Sequence, residues 1–223
     1  MKTFEELGVS EEIRRAIEEL GFEHPMPVQE EVIPFLLGNG NDVIALAQTG
    51  TGKTAAFGIP LLQRTDPTDR TTQAIVISPT RELCLQIADD LKSFSKYIKG
   101  INIVAVYGGT SIVDQMRALK HGAQIIVATP GRLIDLMHRG AAKLEAVQNV
   151  VLVRRGTAEG WRRSGLPAVR TARGKGCRPL TQRERGEGSE GGEAHRQEEG
   201  TIAHSAGAEL HARLRPRNGL HHT

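Results

Sequence analysis

Apolar residues along this chain follow two rhythms that take turns. Five short runs are almost wholly apolar: Val43-Ile44-Ala45-Leu46, Ala74-Ile75-Val76-Ile77, Ile101-Asn102-Ile103-Val104-Ala105-Val106, Gln124-Ile125-Ile126-Val127-Ala128 and Val150-Val151-Leu152-Val153. Runs of that length, rich in β-branched residues and without polar alternation, predict parallel strands buried on both faces. Between the runs the spacing changes to three and four. Ile13, Ile17 and Leu20 share one face of a helix that starts behind Ser10-Glu11-Glu12 and stops at Gly21, an acidic first turn and a glycine end. Leu83, Ile87, Leu91 and Phe94 form a similar stripe in a helix over residues 82–97. Further helices are expected from Ala55, from Asp114 to Leu119 and from Leu133 to His138. Such alternation predicts an α/β fold, an open parallel sheet with helices on both faces. Ligands of such sheets bind at the carboxyl ends of the strands.

That pattern is lost after Val153. Residues 153–223 hold 12 Gly and no Asp, Phe, Tyr or Met, and 13 of their 14 basic residues are Arg. No helical or strand period is expected there. Charge divides at the same place: residues 1–152 carry 15 Lys+Arg against 18 Asp+Glu, a net of −3, and residues 153–223 carry 14 against 8, a net of +6. The overall +3 and the pI of about 9.0 therefore belong to the tail. Polynucleotide binding by the first part would use local loops rather than a broad positive field. Cys84 and Cys177 lie far apart without metal-ligand spacing, which reads as free thiols in a reducing compartment. With no apolar leader after Met1 and no stretch long enough to span a bilayer, a cytoplasmic, membrane-free protein is expected.

The candidate chemistry sits where strands end. Ala47-Gln48-Thr49-Gly50-Thr51-Gly52-Lys53-Thr54 follows the first apolar run and opens a helix, the context that makes a phosphate loop. Gly50 and Gly52 let the backbone turn its N–H groups inward, and the helix N-terminus adds partial positive charge. Lys53 would reach the β- and γ-phosphates, and the Thr54 hydroxyl would sit on Mg²⁺. Upstream, the two-proline loop Gly21–Gln29 leads into a helix. Gln29 can pair both sides of its amide with one adenine edge. The loops Pro79-Thr80-Arg81, Gly108-Gly109-Thr110 and Thr129-Pro130-Gly131-Arg132 end three further strands at the same edge. Their N–H groups, hydroxyls and arginines suit sugar–phosphate contacts that do not read base identity.

These stretches, taken together, resemble the first RecA-like domain of DEAD-box ATP-dependent RNA helicases. Gly21–Gln29, which includes Phe22, is similar to the family's Q motif, with Met26 where Thr is usual. Phe4 stands where the family has an aromatic that stacks on adenine. Ala47–Thr54 resembles motif I, in which the family itself carries Ala first. Pro79–Leu83, Gly108-Gly109 and Thr129–Arg132 resemble motif Ia, the double-glycine motif and motif Ib. The resemblance implies ATP and Mg²⁺ at Phe4, Phe22, Gln29 and Ala47 to Thr54. It implies RNA at Pro79, Thr80, Arg81, Gly108, Gly109, Thr129, Pro130, Gly131 and Arg132.

The resemblance stops at one residue. Where the family reads Asp-Glu-Ala-Asp after this strand, the chain reads Arg154-Arg155-Gly156-Thr157. Those carboxylates would hold the Mg²⁺ water shell and position the attacking water. The family's Ser-Ala-Thr motif and second RecA-like domain have no counterpart here either. Residues 1–153 thus read as a partial ATP-binding domain. Residues 154–223 read either as a disordered Arg/Gly-rich RNA-binding tail or as out-of-frame coding. The second is favoured, because a tail rarely begins inside a strand. Dropping the first base of CGA CGA GGC, one coding of Arg-Arg-Gly, also spells Asp-Glu-Ala. On the family's strand order the missing strand leaves a gap in mid-sheet, and open edges invite aggregation. The expected function is that of a DEAD-box RNA helicase fragment binding ATP and RNA, its parent coupling hydrolysis to duplex opening. Two other readings are open: a non-catalytic nucleic-acid-binding module working through the basic tail, and another P-loop NTPase such as a DNA helicase. Oligomeric state is not legible.

Overall fold

The computed structural model describes residues 2–38, 42–47, 50–155 and 208–213. In chain order the elements are α1 (Glu11–Glu19), α2 (Pro27–Leu37), β1 (Asp42–Ala47), α3 (Lys53–Arg64), β2 (Ala74–Ile77), α4 (Arg81–Phe94), β3 (Ile103–Val106), α5 (Ile112–Lys120), β4 (Ile125–Ala128), α6 (Pro130–His138), β5 (Asn149–Arg155) and β6 (Ala208–Arg213). Every expected strand and helix is present. The sheet order is β1-β6-β5-β2-β4-β3. β5, β2, β4 and β3 run parallel, with Ile75 opposite Val150 and Ile126.

The strands are apolar throughout because both faces are covered. Val76, Ile125, Val127 and Val151 face one core with Ile13, Ile33, Phe57, Ile87 and Leu91, which come from α1 to α4. Ile75, Val104, Val106, Ile126 and Ala128 face the other, with Leu119, Leu133 and Leu136 of α5 and α6. α3 lies tight on α4: a Cβ at Gly58 would stand 2.7 Å from Leu91 Cδ2, so any larger residue would make the Leu91 side chain shift. At its far end the buried Arg64 fastens α3 to α2, its Nη2 donating to the carbonyls of Leu36 and, at 2.7 Å, Gly38. Burial holds this guanidinium below its ordinary pKa.

Some boundaries and caps differ from expectation. Ser10 is at the N-cap of α1 without a side-chain cap; its N–H donates instead to Gln63 Oε1 at 3.0 Å. Helix α6 opens at Pro130, three residues early, because proline at N1 begins a helix readily.

The larger correction concerns the tail. β5 continues through Arg154 and Arg155, and residues 208–213 form β6, antiparallel, between β1 and β5. The expected mid-sheet gap is therefore filled by the chain itself, and the sheet is mixed rather than wholly parallel. Backbone pairing explains the placement: six register pairs to β1 and six to β5 satisfy both edges that a gap would leave open.

Candidate functional site

The carboxyl ends of the parallel strands build one edge of the molecule. β1 runs into the phosphate loop, of which Gln48 and Thr49 lie outside the described residues. Ala47 ends the strand. Gly50 and Gly52 both hold left-handed backbone, at φ 82° and 73°. Gly52 is the N-cap of α3, and Lys53 and Thr54 are its first two residues. A twelve-residue helix thus points its free N–H groups out of the loop. Burial pulls the Lys53 ammonium below its ordinary pKa, a cost that phosphate oxygens beside it would relieve.

Gln29 is fully buried against this loop. Its Oε1 accepts from Met26 N–H at 2.9 Å, and its Nε2 donates to the Gly52 carbonyl at 3.1 Å. The amide expected to read adenine therefore ties the two-proline loop to the phosphate loop. An adenine edge would compete with those backbone partners. Phe4 is likewise packed: it is 6 % exposed, with its ring centroid 6.5 Å from that of Phe22. Phe22 meets Phe94 edge-on at 5.9 Å. The stacking role expected of Phe4 would require its ring to leave this cluster.

Sequence reasoning passed over Asp90. This α4 carboxylate accepts a hydrogen bond from the Thr54 hydroxyl; burial pushes its pKa up, the Thr54 bond opposes that, and Asp89 adds to it. Its signal was faint, a second acidic residue in Asp89-Asp90. The proposed Mg²⁺ ligand thus has a carboxylate beside it, which suits a hydroxyl that keeps a lone pair for a cation. Among the described residues no three His, Cys, Asp or Glu gather as a metal cluster.

The other strand ends form a connected array. Thr80 caps α4, its Oγ1 accepting from Leu83 N–H at 3.3 Å. Pro79 precedes it. Arg81 lies over the Tyr107 ring, with Cζ 5.0 Å from the centroid, a cation–π contact. Its Nη1 would be 3.1 Å from a Cβ at Gly109. Thr129 is the N-cap of α6 and Pro130 and Gly131 its first residues, while Arg132 reaches across to the double-glycine loop. Arg132 donates to the Thr110 carbonyl at 3.2 and 3.3 Å and to Gln115 Oε1 at 3.0 Å. Gln115, 8 % exposed, donates in turn to Tyr107 O at 3.0 Å and Thr110 Oγ1 at 2.8 Å. It locks the loop from within, and only its place in the Ile112–Met116–Leu119 stripe of α5 hinted at burial.

The order of these pieces along one edge is matched elsewhere. A family model described as DEAD/DEAH box helicase matches residues 26–153, more than half of the chain. The chain belongs to that family. ATP-dependent RNA helicase DeaD of Haemophilus influenzae is 51 % identical over 150 residues, 67 % of this chain and 24 % of the relative. DEAD-box ATP-dependent RNA helicase CshA of Geobacillus kaustophilus is 48 % identical over 152 residues, 68 % of this chain and 32 % of the relative. The chain thus spans about a quarter to a third of the curated relatives it matches. Among solved structures, a DEAD box protein of Methanococcus jannaschii superposes with a TM-score of 0.63 at 43 % identity, covering 67 % of this chain and 40 % of that one. S. cerevisiae Dbp5 bound to RNA and ADP BeF3 gives 0.61 at 36 %, covering 68 % and 38 %. The fold of residues 2–153 is therefore the DEAD-box one, and the family match ends at the residue where the sequence departs from the motif.

Proposed function

We propose that residues 2–153 bind ATP and the sugar–phosphate backbone of RNA, as the first half-site of an RNA helicase, and that this chain alone does not turn ATP over. The observation that carries this reading is a shared edge. The glycine loop at the start of α3 and the Arg81–Gly109–Arg132 array stand at the carboxyl ends of strands in one sheet. Gly50 to Thr54 would hold the phosphates, Gln29 and Phe4 the adenine, and Thr54 with Asp90 the Mg²⁺ side. Bound Mg²⁺ would neutralise phosphate charge. A Cβ at Gly108 or Gly131 would meet nothing within 4 Å, so neither glycine answers to packing, and both leave room for a backbone to come close.

Turnover fails on the chemistry of β5. Arg154 and Arg155 occupy its end, where water-positioning carboxylates are needed. The longer parent would couple ATP hydrolysis to RNA duplex opening in the cytoplasm. A reading-frame shift after Val153 accounts for the break, supported by the family match ending there. Translating the DNA across codons 145–223 in the other frames checks it; an Asp-Glu-Ala reading directly after Val153 is expected.

Titration of the full chain with a fluorescent ATP analogue tests the binding. Lys53→Ala should weaken affinity by about tenfold or more, in line with the loss of a charge-assisted phosphate contact. Arg81→Ala with Arg132→Ala should weaken single-stranded RNA binding while leaving the analogue's affinity unchanged. Equal analogue affinity in wild type and Lys53→Ala would refute the reading.

A further inference from the structure

A concave surface also lies away from the nucleotide edge. A cleft of ≈1010 Å³ opens at the opposite edge, among the loop before β2, the end of α5 and the segment after α6. Its lining carries Arg70, Arg117, Lys120, Arg139 and Lys143 against Asp69 and Glu145, a net of +3 (five less two). The first 152 residues as a whole carry −3, so this is a local reversal of sign.

Part of that charge is answered within the protein. Arg117 pairs with Asp114 at 3.3 Å and Arg139 with Asp135 at 2.8 Å. Asp69, itself exposed, is engaged locally, accepting from Thr71 N–H and Oγ1 at 2.8 Å each. Arg70, Lys120 and Lys143 are exposed and make no ion pair among the described residues. Helix dipoles account for cations at the ends of α5 and α6, but Arg70 and Lys143 lie in neither helix. Beneath the charges the floor is aliphatic, formed by Met116, Leu119, Ala123 and Ala141, and Val113 stands 58 % exposed at the rim.

We propose that this cleft docks an acidic, aliphatic segment of a partner protein. Carboxylates on side chains would reach Arg70, Lys120 and Lys143 while the segment's aliphatic groups cover the floor. Charge complementarity of this kind selects a partner and speeds its arrival. RNA is the poorer occupant. The lining holds no Phe, Tyr or Trp on which bases would stack, and an aliphatic floor offers phosphate nothing. The inference is independent of the ATP and RNA reading, because the two edges share no residue.

The test uses the full chain and a short dye-labelled peptide of alternating Glu and Leu, followed by fluorescence anisotropy. Saturable binding is expected, weakening as salt is raised. The exposed triple variant Arg70→Glu, Lys120→Glu, Lys143→Glu should lose about tenfold or more in affinity, with an unchanged melting temperature and unchanged binding of the ATP analogue. A Lys–Leu peptide should not bind. No binding of the Glu–Leu peptide, or equal binding by the triple variant, overturns the proposal. So does displacement of the peptide by single-stranded RNA, which would make the cleft a nucleic-acid site.

Discussion

Replacing Gly52 by Ala tests whether Gln29 and the phosphate loop act as one unit. At φ 73° an added Cβ is strained whatever the space around it, at a cost of about 1–2 kcal/mol. The same Cβ would stand 2.2 Å from Gln29 Nε2 and 3.2 Å from its Cδ. The amide must leave, and both its bonds go with it, the one from Met26 N–H and the one to Gly52 O. At roughly 1 kcal/mol each, the expected total is about 3–4 kcal/mol, a large share of the 5–15 kcal/mol typical of a domain. In a Gln29→Ala background the clash and the bonds are already gone, so Gly52→Ala should cost only the backbone strain. Urea unfolding of the four proteins, followed by far-ultraviolet circular dichroism, should give a coupling of about 2 kcal/mol. Additivity within about 0.5 kcal/mol would show that Gln29 does not brace the loop.

Three further outcomes are expected. Burial pushes the Cys84 thiol up to about 11, against the ordinary 9.0; a raised acid pKa means stability is lost as pH climbs from 9.0 toward 11. In a Cys177→Ser background, aromatic disulfide reagents at pH 8 should therefore label Cys84 only as fast as the protein opens, and labelling at the rate of a free thiol would contradict its burial. Gln115→Leu removes two bonds to the double-glycine loop and one from Arg132 and should cost about 2–3 kcal/mol while weakening single-stranded RNA binding, read by thermal melting and anisotropy; an unchanged RNA affinity would detach that loop from RNA. Leu210→Pro removes an N–H from a strand paired on both sides, with Ala45 and with Val153, and should cost about 3 kcal/mol or more. Soluble yield and a melting curve check it, and an unchanged melt would place residues 208–213 outside the sheet.

The strands were legible because burial on two faces requires unbroken apolar runs, as in Ile125–Ala128. Lys53, Thr54 and Arg132 were legible because glycine and proline mark strand ends. What stayed hidden depended on tertiary contacts. Gln29 shows as an amide near a phosphate loop, but nothing local says that its partners are Met26 and Gly52. Asp90 and Gln115 sit on helix faces whose neighbours come from other elements. Residues 208–213 do alternate, with Ala208, Leu210 and Ala212 between Glu209, His211 and Arg213. That period is expected of a half-covered strand, and a local window cannot reveal pairing with β1 and β5.

The place of β6 also sets an order of events in time. Its register joins Arg155 to Ala208, 53 positions apart, and Asp42 to Arg213, 171 positions apart. Synthesis proceeds at about 5–20 residues per second, so the chain between Arg155 and Ala208 takes roughly 3–10 s to make. The parallel strands and their helices are complete before that interval begins. Among the described strands β6 is therefore the last to arrive, and its pairing carries the slow, non-local closure of the sheet. Until then two unpaired strand edges face the same slot, and any extended segment nearby competes for it. Folding yield should consequently fall with protein concentration more steeply than the finished domain's stability would suggest.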